Sequence, residues 1–577
     1  MILEMLNKEL KKALKTLGFD DSGAAVGYSD RPDLCDYQTN CAFAIAKKAG
    51  KPPLEIAQNI IQAFCGEDGK LYGFSAEAVR PGFINFSVSP ELIKKEMLEV
   101  CRSENCGITK TQKPKTIIID YGGPNIAKPL HVGHLRSAVI GESLKRLARG
   151  LGHKVTADIH MGDWGKQMGL VILGLTEKFD LSGYFKAGRK PIPPFTVKDF
   201  EEIYPTASSR SKTDEEFNAK AQKITQKLQS HEMGYYEIWR DIVKLSVKEI
   251  KKDYKSLNVT FDLWKGESTC EKYIEPMLKD FKKQKLVCES EGALIMNVAE
   301  PTDTSPMPPV LLQTAAGANM YACTDLATIT ERMKLYNPDE IWYVADARQK
   351  LHFEQVFRAA RKAGIVREQV KLVHIPFGTV NGTDGKPFKT RDGKVMKLGG
   401  LVSEVAGLAL KKGTVSKINK ADALKIGVSA LKFGDLINNR NKDYIFDLDK
   451  FSQFDGKTGP YMLYTVARIN SLLNKIEFEP KSGMKLNFEV PEFKAIAISI
   501  FKIINAYQAG FNEKLPNILC EACYDTANAY NEIYGKYRIL TEKNSVLKNT
   551  LLTITFAVKK VLEQTLNVLG IDTVGRM

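Results

Sequence analysis

Apolar residues recur at helical spacing at Leu3, Leu6, Leu10 and Leu14, and again at Ile56, Ile60, Ile61 and Phe64, which predicts two amphipathic helices. The stretch 82–88, Gly-Phe-Ile-Asn-Phe-Ser-Val, alternates roughly and reads as a strand. Near residue 116 the pattern changes. Thr116-Ile-Ile-Ile-Asp120 is a β-branched apolar run between Lys115 and a glycine pair, as expected of a parallel strand buried on both faces. Gly122, Gly123 and Pro124 predict a turn, Leu135, Val139, Leu144 and Leu147 the apolar side of a helix, and Lys154-Val-Thr-Ala-Asp-Ile159 a second strand. Strand, helix, strand is a βαβ unit. Residues 190–285 are dense in Lys and Glu and predict a helical insertion within the sheet domain. The sheet pattern resumes at Glu340-Ile-Trp-Tyr-Val344, followed by a helix near residues 353–364 and a strand at Lys371-Leu-Val-His-Ile375. Beyond about residue 400 only helical spacing survives, as at Val558, Leu562, Leu566 and Leu569.

This pattern predicts a small mixed α+β domain over 1–105, a doubly wound (Rossmann-type) α/β domain over 115–400, a helical connecting segment over 401–454, and an all-helical domain over 455–577. The polar, proline-containing 110–115 serves as a linker. A chain of 577 residues is too long for one core, which agrees with several domains. No apolar run reaches eighteen residues, and the first residues mix acids into the opening turns, so neither a membrane span nor a signal peptide is expected; the reading is cytoplasmic. Ten scattered cysteines suit a reducing compartment; the close pair Cys520 and Cys523 has no histidine near it and reads as small buried residues on one helix face. The formal charge of +15 fits a polyanionic partner, or simply a soluble lysine-rich surface.

Chemistry concentrates in Pro124-Asn-Ile-Ala-Lys-Pro-Leu-His-Val-Gly-His134. His131 and His134 stand three apart at a helix start, so both can face one side. Gly133 between them lets a ligand approach the backbone, and the helix start supplies free N–H groups and a positive dipole end. Lys128 adds a mobile charge upstream. Together these groups can stabilise the negative charge that builds when a nucleophile attacks an ATP phosphate. A metal-binding His pair and two structural histidines are the competing readings. No third ligand is obvious, and two of only seven histidines bracket one glycine at a strand-to-helix turn, which favours the phosphate reading and an ATP-using enzyme.

His-Val-Gly-His resembles the His-Ile-Gly-His motif of class I aminoacyl-tRNA synthetases. The longer string from Pro124 to Ser137 is similar to the form found in arginyl-tRNA synthetases. The resemblance extends through 36–40, 81–86, 162–169 (Gly-Asp-Trp-Gly-Lys-Gln-Met-Gly), Gly266-Glu-Ser268, 343–353, 374–378, 459–468 and the final Gly-Ile-Asp-Thr-Val-Gly-Arg-Met. It implies activation of L-arginine with ATP to arginyl-adenylate, release of pyrophosphate, and transfer to the 3′ end of tRNA(Arg), with Mg2+ accompanying ATP and no metal held by the protein. It also implies that tRNA must be bound before the first step proceeds well. A monomer is the default expectation.

The resemblance further assigns roles. Lys128, His131, His134 and Arg391 would be catalytic; Pro124, Asn125, Gly133, His352, His374, Phe377, Gly378, Lys389 and Thr390 would join the two histidines around ATP. Asp325 would pair with the guanidinium and Tyr321, four residues away, would line the same pocket, with Asp120 and Asn125 at the amino and carboxylate ends and Gln349 completing it. A forked cation suits such acceptors better than lysine does. Phe83 and Asn85 would touch the tRNA elbow, and Tyr461, Tyr464, Arg468 and Tyr534 would offer stacking faces and charge to anticodon bases. Two departures stand out. The second basic loop, residues 388–398, lacks the adjacent Met-Ser-Lys core, and Lys128 is expected to supply the missing charge; Gly122-Gly123 replaces two serines common among relatives. A cysteinyl enzyme would need zinc ligands near the pocket, a small nucleotidyltransferase would not need the helical C-terminal half, and a non-catalytic derivative would show damaged motifs.

Overall fold

The computed structural model describes residues 2–65, 70–71, 73–186, 191–315, 317–382, 384–386, 396–412, 418–575 and 577. The chain forms two compact units: residues 1–109 with 454–567 and 573–577, and residues 110–453 with 568–572.

In the second unit the isoleucine run becomes strand β1 (Thr116–Tyr121), followed by β2 (Lys154–Met161), β3 (Leu263–Gly266), β4 (Glu340–Asp346) and β5 (Lys371–Phe377). They pair in the order β5-β4-β1-β2-β3, every neighbour parallel. This is the doubly wound arrangement, whose strand order reverses between β1 and β4; ligands bind at the carboxyl ends of the strands beside that point. Helix α1 (Val132–Gly150) follows β1, helix α2 (Met233–Ser256) precedes β3, and helix α3 (Tyr321–Tyr336) precedes β4. Leu135, Val139, Leu144 and Leu147 are fully buried on α1. Ile118, Ile341, Leu326, Cys323 and Val356 pack into one core between sheet and helices, each large aliphatic residue contributing about 1.5–3 kcal/mol.

Two expectations need correction. The region 190–285 is not helical throughout: after helices Val197–Arg210, Glu215–Gln229 and α2 the chain returns to the sheet as β3, before the helix Glu271–Lys283. Four residues with two apolar side chains give no periodicity to detect. Beyond residue 400, Tyr444–Ile445 adds a short parallel pair with Val380–Asn381.

Residues 568–572 pack within this second unit. The fully buried Lys432 donates to the carbonyls of Gly570 (2.8 Å) and Asn258 (3.2 Å), and Asn258 Nδ2 reaches Asp572 at 2.9 Å. Burial pushes the Lys432 ammonium down to about 7, against the opposing pull of Glu142.

The first unit contains an antiparallel five-stranded sheet at its amino-terminal end, with Phe83–Val88 central, and the helices Gly459–Leu473, Pro491–Glu513, Asn517–Lys536 and Ser545–Val568. Cys520 and Cys523 are both buried on one of these helices.

Candidate active site

The turn after β1 explains the glycine pair. Gly122 has φ +68°, and a Cβ on Gly123 would stand 2.4 Å from the carbonyl oxygen of His160. Tyr254 of α2 donates to the Gly122 carbonyl, and the Gly122 N–H donates to Ser137 Oγ at 2.9 Å, so the turn is held from both sides. A serine at either position would have to displace this packing.

The next residues are fixed against the end of β2. Gly162 N–H donates to Pro124 O at 3.1 Å, Ile126 N–H to Gly162 O at 2.9 Å, and the Asn125 side chain lies over Gly162 where no Cβ is present.

His131 is the N-cap of α1. Its Nδ1 accepts from the Gly133 N–H at 3.0 Å, while His134 Nδ1 accepts from the His131 N–H at 3.2 Å, a capping box built from two imidazoles. Each Nδ1 acting as acceptor leaves the proton on Nε2, so both rings present an N–H donor. Burial, then the charges of His131 and Lys128, push His134 down to about 3; burial, then Lys128, lowers His131. Both rings are thus neutral donors at ordinary pH. A Cβ at Gly133 would press within 2.8 Å of the His131 ring.

The second loop ends beside this pair. Val132 N–H donates to Met396 O at 3.1 Å, Leu398 N–H to Leu130 O at 2.9 Å, and Lys397 bridges His131 in antiparallel register. Lys389, Thr390 and Arg391 lie outside the described residues. Lys128 stands with its Nζ 4.3 Å above the Tyr204 ring and lines a cavity of about 1420 Å³ between the 127–130 turn, α2 and the helix Leu398–Lys412.

A second group of side chains gathers around the start of α3. Tyr321 and Asp325 occupy its first turns, Tyr321 69% exposed. Asp325 Oδ2 lies 2.5 Å from His352 Nε2, and this bond raises the imidazole pKa. His352, expected around the nucleotide, is thereby placed against the carboxylate expected to hold the guanidinium. The residue that sequence reasoning left unassigned is Glu267. It follows β3 and faces Asp163 and Asp325; burial, then those two charges, push its carboxyl up to about 8. Asp163 is itself buried and accepts from the Ser268 N–H at 2.9 Å and hydroxyl at 2.7 Å. Its sequence signal is the short block Gly266-Glu-Ser268.

Asp120, at the end of β1, gives one oxygen to Arg332 Nη2 at 2.5 Å, and Arg332 also holds Asp158 at 2.8 Å. This buried guanidinium stays charged between its two carboxylates and fixes Asp120. Gln349 closes the exposed 3₁₀ turn after β4. His374 on β5 stacks on Phe353 at 4.7 Å with Nε2 3.3 Å from Ala345 O; Phe377 ends β5, buried, and Gly378 O accepts from Arg136 at 2.7 Å.

The remaining predicted residues lie in the first unit. Asn85 Oδ1 accepts from Gln38 at 2.7 Å, and Phe83 meets Phe43 edge-on at 5.1 Å. Arg468 sits 4.6 Å from the Tyr464 ring and 4.9 Å from the Tyr534 ring, and Asn531 joins Arg468 to the Tyr461 hydroxyl. These four are one cluster. Among the described residues no group of three or more His, Cys, Asp or Glu side chains is set to hold a metal ion, and no helix is long and apolar enough to cross a membrane.

A doubly wound parallel sheet with neutral imidazole donors at a helix start, beside a carboxylate-rich pocket, defines a nucleotide-binding α/β protein of the class I synthetase type. Residues 97–448 match the family model for the catalytic domain of class I tRNA synthetases (R), 462–577 the DALR anticodon binding domain, and 4–88 the arginyl tRNA synthetase N terminal domain. The chain is 42% identical to an arginine–tRNA ligase of Agathobacter rectalis and 40% identical to one of Alkaliphilus oremlandii, both over 100% of each chain. Its fold matches the arginyl-tRNA synthetase of Plasmodium falciparum with a TM-score of 0.83 at 24% identity, covering 100% of this chain and 99% of that one. The chain belongs to the arginyl-tRNA synthetase family of class I tRNA synthetases.

Proposed function

We propose that this enzyme is an arginine–tRNA ligase: the arginine carboxylate attacks the α-phosphorus of ATP, the bond to the bridging oxygen breaks, pyrophosphate leaves, and the terminal ribose hydroxyl of tRNA(Arg) then takes the arginyl group from AMP. His131 and His134 would place their Nε2–H donors on the phosphate oxygens, where charge grows in the transition state. Lys128, with Arg391, Lys389 and Thr390 of the second loop, would share the triphosphate charge, and Asn125, His374, Phe377 and Gly378 would frame the nucleotide. Mg2+ is expected to accompany ATP, and among the described residues no group of three or more His, Cys, Asp or Glu side chains is set to hold it.

The observation that carries the amino-acid assignment is the excess of carboxylate around Tyr321. Asp163 and Asp325 both act on Glu267, whose carboxyl is pushed up to about 8 by burial first and by those two charges after it. A planar, always charged guanidinium satisfies that excess with forked donors. Asp120, held by Arg332, would take the α-amino group. In the first unit, the Arg468–Tyr464–Tyr534–Tyr461 cluster would receive splayed anticodon bases, and Phe83 with Asn85 the tRNA elbow.

The direct test is charging of a tRNA pool with each of the twenty amino acids: arginine alone is expected to be attached, and attachment of another amino acid instead would refute the reading. A second expectation concerns pH. Binding of arginine should drive Glu267 to its ionised form and release its proton. Arginine affinity therefore rises with pH, by at most about tenfold per unit below pH 8, and levels off above it. Calorimetry in buffers of different ionisation enthalpy should detect the proton near pH 7, and Glu267→Gln should abolish both proton release and the slope. A slope that persists in the Gln variant removes Glu267 from this role.

A further inference from the structure

Helix α2 carries a surface pattern that the adenylation chemistry does not use. From residue 240 to residue 255 its exposed positions are Arg240, Lys244, Lys248, Lys251, Lys252 and Lys255, and every one is a cation. At 100° per residue these six fall within an arc of about 120°, and they extend along about 22 Å of helix. Neighbouring helices show how unusual this is. On Glu215–Gln229 the exposed positions include Glu215, Glu216, Ala219, Lys220 and Gln222, the mixed pattern of a solvated face.

Acidic residues neutralise only part of the stripe. Arg240 pairs with Glu237 at 2.8 Å and Lys252 with Glu249 at 2.9 Å, each within the helix. Lys244, Lys248 and Lys255 have no ion pair among the described residues, and Lys251 rests 4.7 Å over the Trp264 ring. Like charges one turn apart cost a few tenths of a kcal/mol each in an isolated helix, so the stripe is a local electrostatic cost unless a polyanion covers it.

The stripe also has a direction. Lys248 and Lys252 continue into the wall of the 1420 Å³ cavity, where Lys128, Lys198 and Lys420 add positive charge, Lys397 is paired with Glu201 at 2.5 Å, and Glu249 and Asp253 offset part of the total. Lys128, Pro129 and Leu130 on that wall immediately precede His131 in the chain, and Lys397, also on the wall, is bridged to His131. A polyanion lying on α2 would therefore deliver its end beside the adenylation histidines.

We infer that the basic face of α2 is a track for the phosphate backbone of the tRNA acceptor arm, guiding the 3′ end through the cavity to His131. This rests on the arginine–tRNA ligase reading for the identity of the RNA. The recognition is by charge, independent of base sequence, and carries a salt signature.

The test uses the full chain with the exposed triple substitution K244A/K248A/K251A, and as control K279A/K282A/K283A, which removes the same charge from an exposed face of another helix of the same unit. Affinity for tRNA(Arg) is measured by filter binding between about 50 and 200 mM salt. In the track variant the slope of log affinity against log salt is expected to fall by about two to three, with tRNA binding at least tenfold weaker; the control should change by less than one in slope. An RNA hairpin containing only the acceptor arm should show the same difference. Equal effects of the two triples, or a track variant that binds like wild type, overturn the inference. An effect seen with whole tRNA but not with the acceptor hairpin overturns the assignment to that arm. Because wild-type charging with arginine is measured separately, its failure would sink the functional reading, whereas normal charging with unchanged binding by the track variant sinks only this inference.

Discussion

Replacing His134 by alanine is expected to lower the rate of arginyl-adenylate formation by about 10²–10³-fold, the scale of losing one preorganised donor to a developing phosphate charge. The side chain has two functions that a single deletion would mix. Nδ1 caps α1 by accepting the His131 N–H, which leaves the proton on Nε2 as a donor. Losing the cap alone costs about 1 kcal/mol of stability. Asparagine separates the two, since its amide oxygen can take the place of Nδ1 while nothing reaches the Nε2 position. His134→Asn should therefore melt near wild type yet remain as slow as the alanine variant in arginine-dependent pyrophosphate exchange measured with tRNA present. Near-normal exchange in both variants would remove His134 from the chemistry. Because the ring is neutral down to about pH 3, its protonation should leave no limb in the pH–rate profile of the wild type above pH 5.

The second large effect concerns Asp325. Asp325→Asn keeps the side chain's size and removes the charge that faces both His352 and the proposed guanidinium. A hydrogen-bonded charge pair that loses one partner costs about 2–5 kcal/mol at a desolvated site, so kcat/KM for arginine should fall by at least about thirtyfold while saturation by ATP shifts only a few-fold. Steady-state kinetics with each substrate varied in turn will separate the two. Unchanged saturation by arginine, or an equal loss for ATP, would exclude the assigned role.

Much of this site is legible in the sequence, for physical reasons that differ from residue to residue. The β1–α1–β2 unit is visible because a strand buried on both faces must be a continuous apolar run, and Thr116–Asp120 is one. The turn at Gly122 and Gly123 is visible because glycine suits the positive φ of the first and the close carbonyl against the second. Strand β3 is hidden because it is only four residues long, between a lysine-rich helix and a polar 3₁₀ turn. Glu267 is hidden because a lone acid after a glycine reads as surface; its burial in the fold, and then the charges of Asp163 and Asp325, distant in sequence, change its ionisation. Arg332 is hidden for a similar reason. On a helical wheel it is an ordinary charged residue, whereas in the fold it is 1% exposed and fastened to Asp120 and Asp158.

The small segment 568–572 has a consequence for biosynthesis. It follows the last long helix, yet it belongs to the unit whose other residues end at 453, where it supplies the carbonyl of Gly570 to Lys432 and the carboxylate of Asp572 to Asn258. Roughly 120 further residues must be translated before those groups arrive, on the order of ten seconds of elongation. Until then the Lys432 ammonium lacks one of its two carbonyl partners. The second unit thus gains these contacts only after residues 568–572 have been synthesised, and a nascent chain halted before residue 568 carries the adenylation motif without them.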